Sequence, residues 1–207
     1  MISYLLNNRI MALAIGALVL GFASQASASL TYTLNDSFGS DPVSGDIGIT
    51  LTDDGTNTVT LEIDLTALNS TEFIKELYLN TDTEVGLITG PSIDAFDWDP
   101  IAHKSDGDGY HDFLIEFSES AGDRLEGGSI YTFTLTGTGL DETDFDDFGT
   151  ASNKGQFHVV AKINATGNGS GSDWVGDSGG NPPVPEPSAA LLFAIGAVTV
   201  GARVRRR

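Results

Sequence analysis

Apolar and polar residues alternate with a period of two along much of this chain. Ile47, Ile49 and Leu51 alternate with polar neighbours over residues 46–52, and Val59, Leu61, Ile63 and Leu65 alternate with Thr60, Glu62 and Asp64 over residues 58–65. Successive strand side chains point to opposite faces, so each run predicts a strand with one face buried and one wet. The Asp-Asp-Gly-Thr-Asn stretch at residues 53–57 reads as the hairpin loop between them. Residues 73–80 are apolar on both faces, which predicts a central strand. Residues 112–117, 129–136 and 156–163 are rich in aromatic and β-branched residues and read as three more strands. Weaker strand patterns cover residues 30–34 and 93–98. About eight strands at close spacing, separated by Gly and Asp, predict an all-β fold: one antiparallel β-sandwich of jelly-roll type. No segment of the body holds a helical period. Residues 141–148 predict a single helical turn, with Phe145 and Phe148 reaching the core.

The two ends follow other rules. Arg9 is followed by an apolar run from Ile10 to Phe22 and by the small-x-small triplet Ala26-Ser27-Ala28. This order predicts a signal peptide over residues 1–28, cut after Ala28 by signal peptidase, with the mature chain starting at Ser29. The apolar run is short for a membrane span of about 20 residues. Residues 167–184 are rich in Gly, Ser, Asp and then Pro and read as a flexible linker. Trp174 and Val175 interrupt it, and such a pair has enough apolar surface to dock back on the sandwich. Val184-Pro185-Glu186-Pro187 then precedes an apolar segment from Ser188 to Ala202, which ends in Arg203, Arg205, Arg206 and Arg207. The apolar segment with its flanks reaches the lower limit of a transmembrane helix, roughly 17 residues, and the arginines belong on the cytoplasmic side.

Motif, apolar helix and basic stop in this order resemble the PEP-CTERM sorting signal at residues 185–207. The resemblance implies an exosortase-type membrane protease as partner, a Gram-negative host that makes polysaccharide, and removal of the tail near Pro185-Glu186-Pro187. The protein would be exported through the inner membrane, held briefly by its C-terminal helix, and left at the cell surface or in the extracellular matrix. Several stretches of the body also resemble a group of PEP-CTERM proteins: residues 73–80, the Asp-Gly-Asp-Gly-Tyr-His-Asp-Phe stretch at 106–113, Gly137-Thr138-Gly139-Leu140, and Ser172-Asp173-Trp174-Val175-Gly176-Asp177. That group carries no assigned activity.

Charge narrows the partners. The 207-residue chain has ten basic residues, and five of them lie in the two ends. The 159 residues from Ser29 to Pro187 therefore hold five basic residues against 29 acidic ones, a net charge of −24. Nucleic acid is excluded as a partner, because its binding needs a basic surface that releases counterions. Anionic membrane surfaces fall away for the same reason. Cysteine is absent, which excludes disulfides, thiolate metal sites and a cysteine nucleophile.

Candidate chemistry is sparse. Asp106, Asp108 and Asp112, spaced by Gly107 and Gly109, have oxygens and bends suited to a Ca²⁺ loop. The cluster resembles the inner part of dockerin-type and thrombospondin-type calcium loops. It departs from them at Lys104 and Ile115, where acidic ligands would stand. No zinc-type histidine spacing and no nucleophile-elbow motif occurs, so the expectation is a protein that is not an enzyme. Trp98, Tyr110 and Trp174 are the aromatic residues suited to stacking on sugar rings. The reading is a structural envelope or matrix protein of exopolysaccharide or biofilm, with a carbohydrate-binding module, Ca²⁺-dependent or not, as the alternative and a glycan-active enzyme behind it. The β-sandwich is expected over residues 29–166.

Overall fold

The computed structural model describes residues 28–105, 109–151, 155–167 and 169–177. They form an all-β body of eleven antiparallel strands. In chain order these are β1 (Ser29–Ser37), β2 (Ile47–Asp53), β3 (Thr58–Asp64), β4 (Phe73–Leu79), β5 (Leu87–Thr89) and β6 (Ile93–Ser105), then β7 (Gly109–Phe117), β8 (Leu125–Glu126), β9 (Ile130–Thr136), β10 (Val159–Thr166) and β11 (Gly171–Asp177). They hydrogen-bond in the order β5-β9-β3-β2-β1-β11-β10-β4-β7-β6, with β8 beside β4. The two end strands, β5 and β6, are consecutive in the chain and joined by only three residues, 90–92. The sheet therefore curls until its ends nearly meet, and its inner face becomes the core.

The period-two pattern explains that face. Ile47, Ile49 and Leu51 of β2, and Val59, Leu61 and Ile63 of β3, are fully buried, with Ile49 across from Ile63 and Leu51 across from Leu61. Phe117 of β7 meets Phe133 of β9 at 5.4 Å between ring centroids, so the two halves of the curled sheet touch through the middle. Emptying either fully buried ring position to Ala would cost about 3–5 kcal/mol. Gly90, at the near-closure, is required by this packing, because a Cβ there would sit 2.1 Å from the Phe133 ring.

β4 is a central strand, as its two apolar faces predict, with β10 on one side and β7 on the other. Its inner face joins the main core. On its outer face Tyr78 forms a second buried cluster with Phe157 and Val160, flanked by Phe38, Leu114 and Trp174. The helical turn is present at Glu142–Phe145, closed by a capping box between Asp141 and Asp144. Phe145 is buried in the core. Phe148 is not in the core as expected. It is 44% exposed, with its ring 3.7 Å from that of His158.

The main correction concerns residues 167–184. Gly171–Asp177, expected to lie in a flexible linker, forms β11 and pairs with both β1 and β10. The domain therefore continues past residue 166 and includes β11 at Gly171–Asp177. Composition misleads here because small and polar residues do the packing. A Cβ on Gly176 would come within 2.6 Å of the Phe157 ring and 2.9 Å of Phe38, so only glycine fits between them. Asp177 is nearly buried yet fully used. Its Oδ1 accepts the amides of His158 and Val159 at 2.8 and 3.1 Å, and its Oδ2 lies 2.8 Å from His158 Nδ1. Ala26 and the whole tail, with Val184 to Pro187 and the four arginines, lie outside the described residues. The first strand begins at Ser29, and Ala28 extends the ladder by accepting the Asp53 amide at 3.1 Å.

A chain ended after Thr166 would leave β1 and β10 with unpaired inner edges. It is expected to lose cooperative thermal unfolding and β-type circular dichroism, whereas a chain ended after Pro187 keeps both. A cooperative melt of the shorter chain would show that β11 is dispensable.

Candidate functional site

β6 loses register with β7 between Trp98 and His103, so Asp99, Pro100, Ile101 and Ala102 bulge from the ladder. Proline has no amide to give a ladder, which suits this position. Ile101 takes φ 59°, a left-handed conformation that β-branched residues rarely adopt. Asp112 on β7 holds it there. Its Oδ1 accepts the Ile101 amide at 2.7 Å and its Oδ2 accepts the Thr81 amide at 3.3 Å. One carboxylate thus ties the bulge to the turn after β4. Such backbone strain clusters at binding and catalytic sites, and here it holds Ile101 out at 59% exposure.

The bulge walls a groove of about 580 Å³. Trp98, Ile101, Tyr110 and Phe148 supply its apolar surface, and Asp82, Asp147 and Gln156 are among its polar groups. Tyr110 is 42% exposed. Its backbone is pinned from both sides by Thr150, whose Oγ1 accepts the Tyr110 amide at 2.8 Å and whose amide donates to the Tyr110 carbonyl at 3.0 Å. Gly109 makes this approach possible, since a Cβ there would lie 2.2 Å from the Thr150 carbonyl. Trp98 packs partly into the core, and its buried indole Nε1–H has no hydrogen-bond partner among the described residues.

Behind the groove, Asn80 links its wall to a buried histidine. Its Nδ2 lies 3.1 Å from His111 Nδ1 and donates to the His158 carbonyl at 3.0 Å, while Ser105 Oγ lies 3.2 Å from His111 Nε2. His111 is 1% exposed, so this network braces the wall and presents nothing to a ligand. Phe148 is set by the fully buried His158 ring, which also stacks with Tyr32 at 4.9 Å.

The flank of the groove is acidic. Burial pushes the Glu142 carboxyl above its ordinary value against the lowering effect of a backbone hydrogen bond, and the neighbouring Asp141, Asp53 and Asp144 push it further up. Burial also raises Asp144, which shares a hydrogen bond with Asp82, against the lowering effect of the Asp141 amide and the Thr83 hydroxyl. Burial, with Asp146, Asp177 and Asp147, likewise holds the Tyr32 phenol far above its usual range.

Of the expected calcium ligands, Asp106 and Asp108 lie outside the described residues. Asp112 is described and lines the groove with both oxygens already engaged by amides. Among the described residues no group of three or more His, Asp or Glu side chains is arranged to hold a metal. Trp98 and Tyr110 are brought together by the groove. Trp174 is elsewhere, on the outer cluster, 5.5 Å from Tyr78 and with Lys162 Nζ 5.0 Å from its ring. Sequence reading passed over Ile101 and placed Phe148 in the core. A Pro-Ile pair inside an otherwise alternating run was the available sign of the bulge.

Residues 183–207 match the family model of the PEP-CTERM protein-sorting motif. The chain carries a PEP-CTERM sorting signal. Only five residues separate its start from the end of β11. The PEP-CTERM signal implies export, a C-terminal anchor with surface display, and processing by exosortase, a membrane protein. Among the described residues no helix is long and apolar enough to cross a membrane. No curated protein and no solved structure shows a significant match to the chain.

A carboxyl whose folded value is raised stabilises the fold while protonated, and that contribution is lost as pH rises through the raised value. Glu142→Gln mimics the protonated form. It is expected to raise the Tm at neutral pH, with the gain fading as the buffer approaches about pH 4, where ordinary carboxyls protonate. A Tm difference independent of pH would refute the assignment.

Proposed function

We propose that this domain is a non-catalytic glycan-binding body, placed by exosortase processing in the exopolysaccharide at the cell surface. The groove beside the β6 bulge carries this reading. Sugar rings present C–H faces that stack on aromatic side chains and hydroxyls that donate to carboxylates and amides. Tyr110, Phe148 and Trp98 offer the first kind of surface, and Asp82, Asp147 and Gln156 the second. The aromatic residues are held by backbone pinning, ring stacking and core packing, so little freedom is lost on binding. A non-catalytic role is supported by Asp112, the carboxylate that the groove holds most firmly, because both of its oxygens are committed to amides. The sequence places the sorting signal directly after the last strand, which suits a body whose task is to be displayed.

Binding is expected in affinity electrophoresis against a panel of soluble polysaccharides. Tyr110→Ala and Phe148→Ala should each weaken it roughly tenfold, in line with about 1–1.5 kcal/mol per aromatic contact. Retention of full affinity in the double variant would remove the groove from consideration. Processing is a separate matter. Replacing Pro185, Glu186 and Pro187 with Ala should leave the tail uncut in the host, as read by intact mass of the surface fraction, and an unchanged mass would contradict the sorting assignment.

A further inference from the structure

At the β10–β11 hairpin, far along β11 from the Asp177 clamp, two buried oxygens lack partners. Thr166 Oγ1 and Asp173 Oδ2 are the two buried side-chain oxygens without a hydrogen bond among the described residues. Thr166 is fully buried and Asp173 is 1% exposed. The second Asp173 oxygen, Oδ1, accepts the Trp174 amide at 2.8 Å. The two residues are neighbours by register: Thr166 faces Gly171 and Ile163 faces Asp173. Residues directly opposite share a face, as do positions two apart on one strand. Thr166, Gly171 and Asp173 therefore open onto the same side of the hairpin.

Gly171 has no side chain, and the Asp41 carboxylate occupies the gap. A Cβ on Gly171 would lie 2.9 Å from Asp41 Oδ2, and one on Gly167 would lie 3.4 Å from Asp41 Oδ1. On the other carboxylate, a Cβ on Gly39 would lie 2.2 Å from Asp173 Oδ1. Three glycines thus let two carboxylates close on the backbone beside one buried hydroxyl. Among the described residues, neither Asp41 nor Asp173 has an ion pair. A buried carboxylate without a counter-charge is strongly destabilising, and unpaired buried oxygens of this kind call for an ion or a water.

We infer that Asp173, Asp41 and Thr166 form the protein part of a Ca²⁺ site that ties the β10–β11 hairpin to the β1–β2 connection. The donors are all oxygen, which selects a hard cation over zinc or copper. Contributions from a strand, a hairpin and a long connection suit the flexible coordination of Ca²⁺ better than the strict octahedron of Mg²⁺, with water and carbonyl oxygens completing the shell. The site is separate from Asp106, Asp108 and Asp112, and it does not rest on the glycan reading.

The test uses the full chain in detergent, with Ca²⁺ alone as the probe. Millimolar Ca²⁺ should raise the Tm by several degrees over the chelated protein, because a ligand that binds only the folded state stabilises it. Tb³⁺ should give luminescence excited through the adjacent Trp174 and quenched by Ca²⁺. Asp173→Asn should abolish both responses, and without Ca²⁺ it should melt at or above the parent, since the buried charge is gone. Asp41→Asn, at an exposed position that folding tolerates, should weaken the response at least tenfold in Ca²⁺ concentration. Asp108→Asn should leave it unchanged. The proposal fails if Ca²⁺ shifts nothing, if the response survives in Asp173→Asn and Asp41→Asn, if Asp108→Asn removes it, or if Mg²⁺ acts as strongly as Ca²⁺.

Discussion

Hydrogen bonding of β11 between β1 and β10 is the constraint on which the rest of this structure depends. The last described strand is an interior member of the sheet, so the first and tenth strands are joined in the ladder through it. Without it the curled sheet would split into two halves, each with a bare edge, and exposed edges invite pairing with other chains. The grip at its end is polar. Asp177 takes two backbone amides and the imidazole of His158, whose ring contacts those of Tyr32 and Phe148. A polar group buried in this way is stable only when it is hydrogen-bonded, and at Asp177 the clamp closes the sheet with five residues left before the sorting signal begins.

The same closure positions the groove. Phe148 is aimed by His158, which β11 holds through Asp177, and Tyr110 is pinned through Thr150 in the segment leading to β10. The opposite wall depends on one carboxylate, Asp112, which supplies acceptors to two amides that the bulge and the turn after β4 leave free. Strain at Ile101 is tolerated because that carboxylate and the flanking ladder determine the local geometry. The groove is thus a product of sheet irregularities braced from behind by Asn80, His111 and Ser105, and its aromatic surface comes from three separate stretches of chain.

The strands whose side chains alternate were legible, and for a clear reason. At Ile47, Ile49 and Leu51, or Val59, Leu61 and Ile63, each inward position is apolar, so the pattern and the burial coincide. β4 was legible as central because both of its faces meet apolar neighbours, the core on one side and the Tyr78 cluster on the other. β11 was not, because its inward positions are Asp173, Val175 and Asp177 and its glycines are present for close approach to Phe157 and Asp41. Burial of aspartate cannot be read from composition, since it depends on partners far away in the chain. The helical turn at Glu142–Phe145 was legible through its local capping residues, whereas the solvent-facing position of Phe148 was set by a ring ten residues further on.

By itself the sequence determined the address and the architecture: a chain bound for export with a sorting signal at its end, and an acidic, cysteine-free antiparallel β body between. These properties are local or additive, carried by short contiguous motifs, a two-residue period and a count of charges. Only the tertiary structure decided that the domain extends past residue 166 through β11, which aromatic residues share a groove, and which carboxylates are buried with or without a partner. Those properties depend on register between strands distant in the chain, where a one-residue shift would turn every side chain to the opposite face.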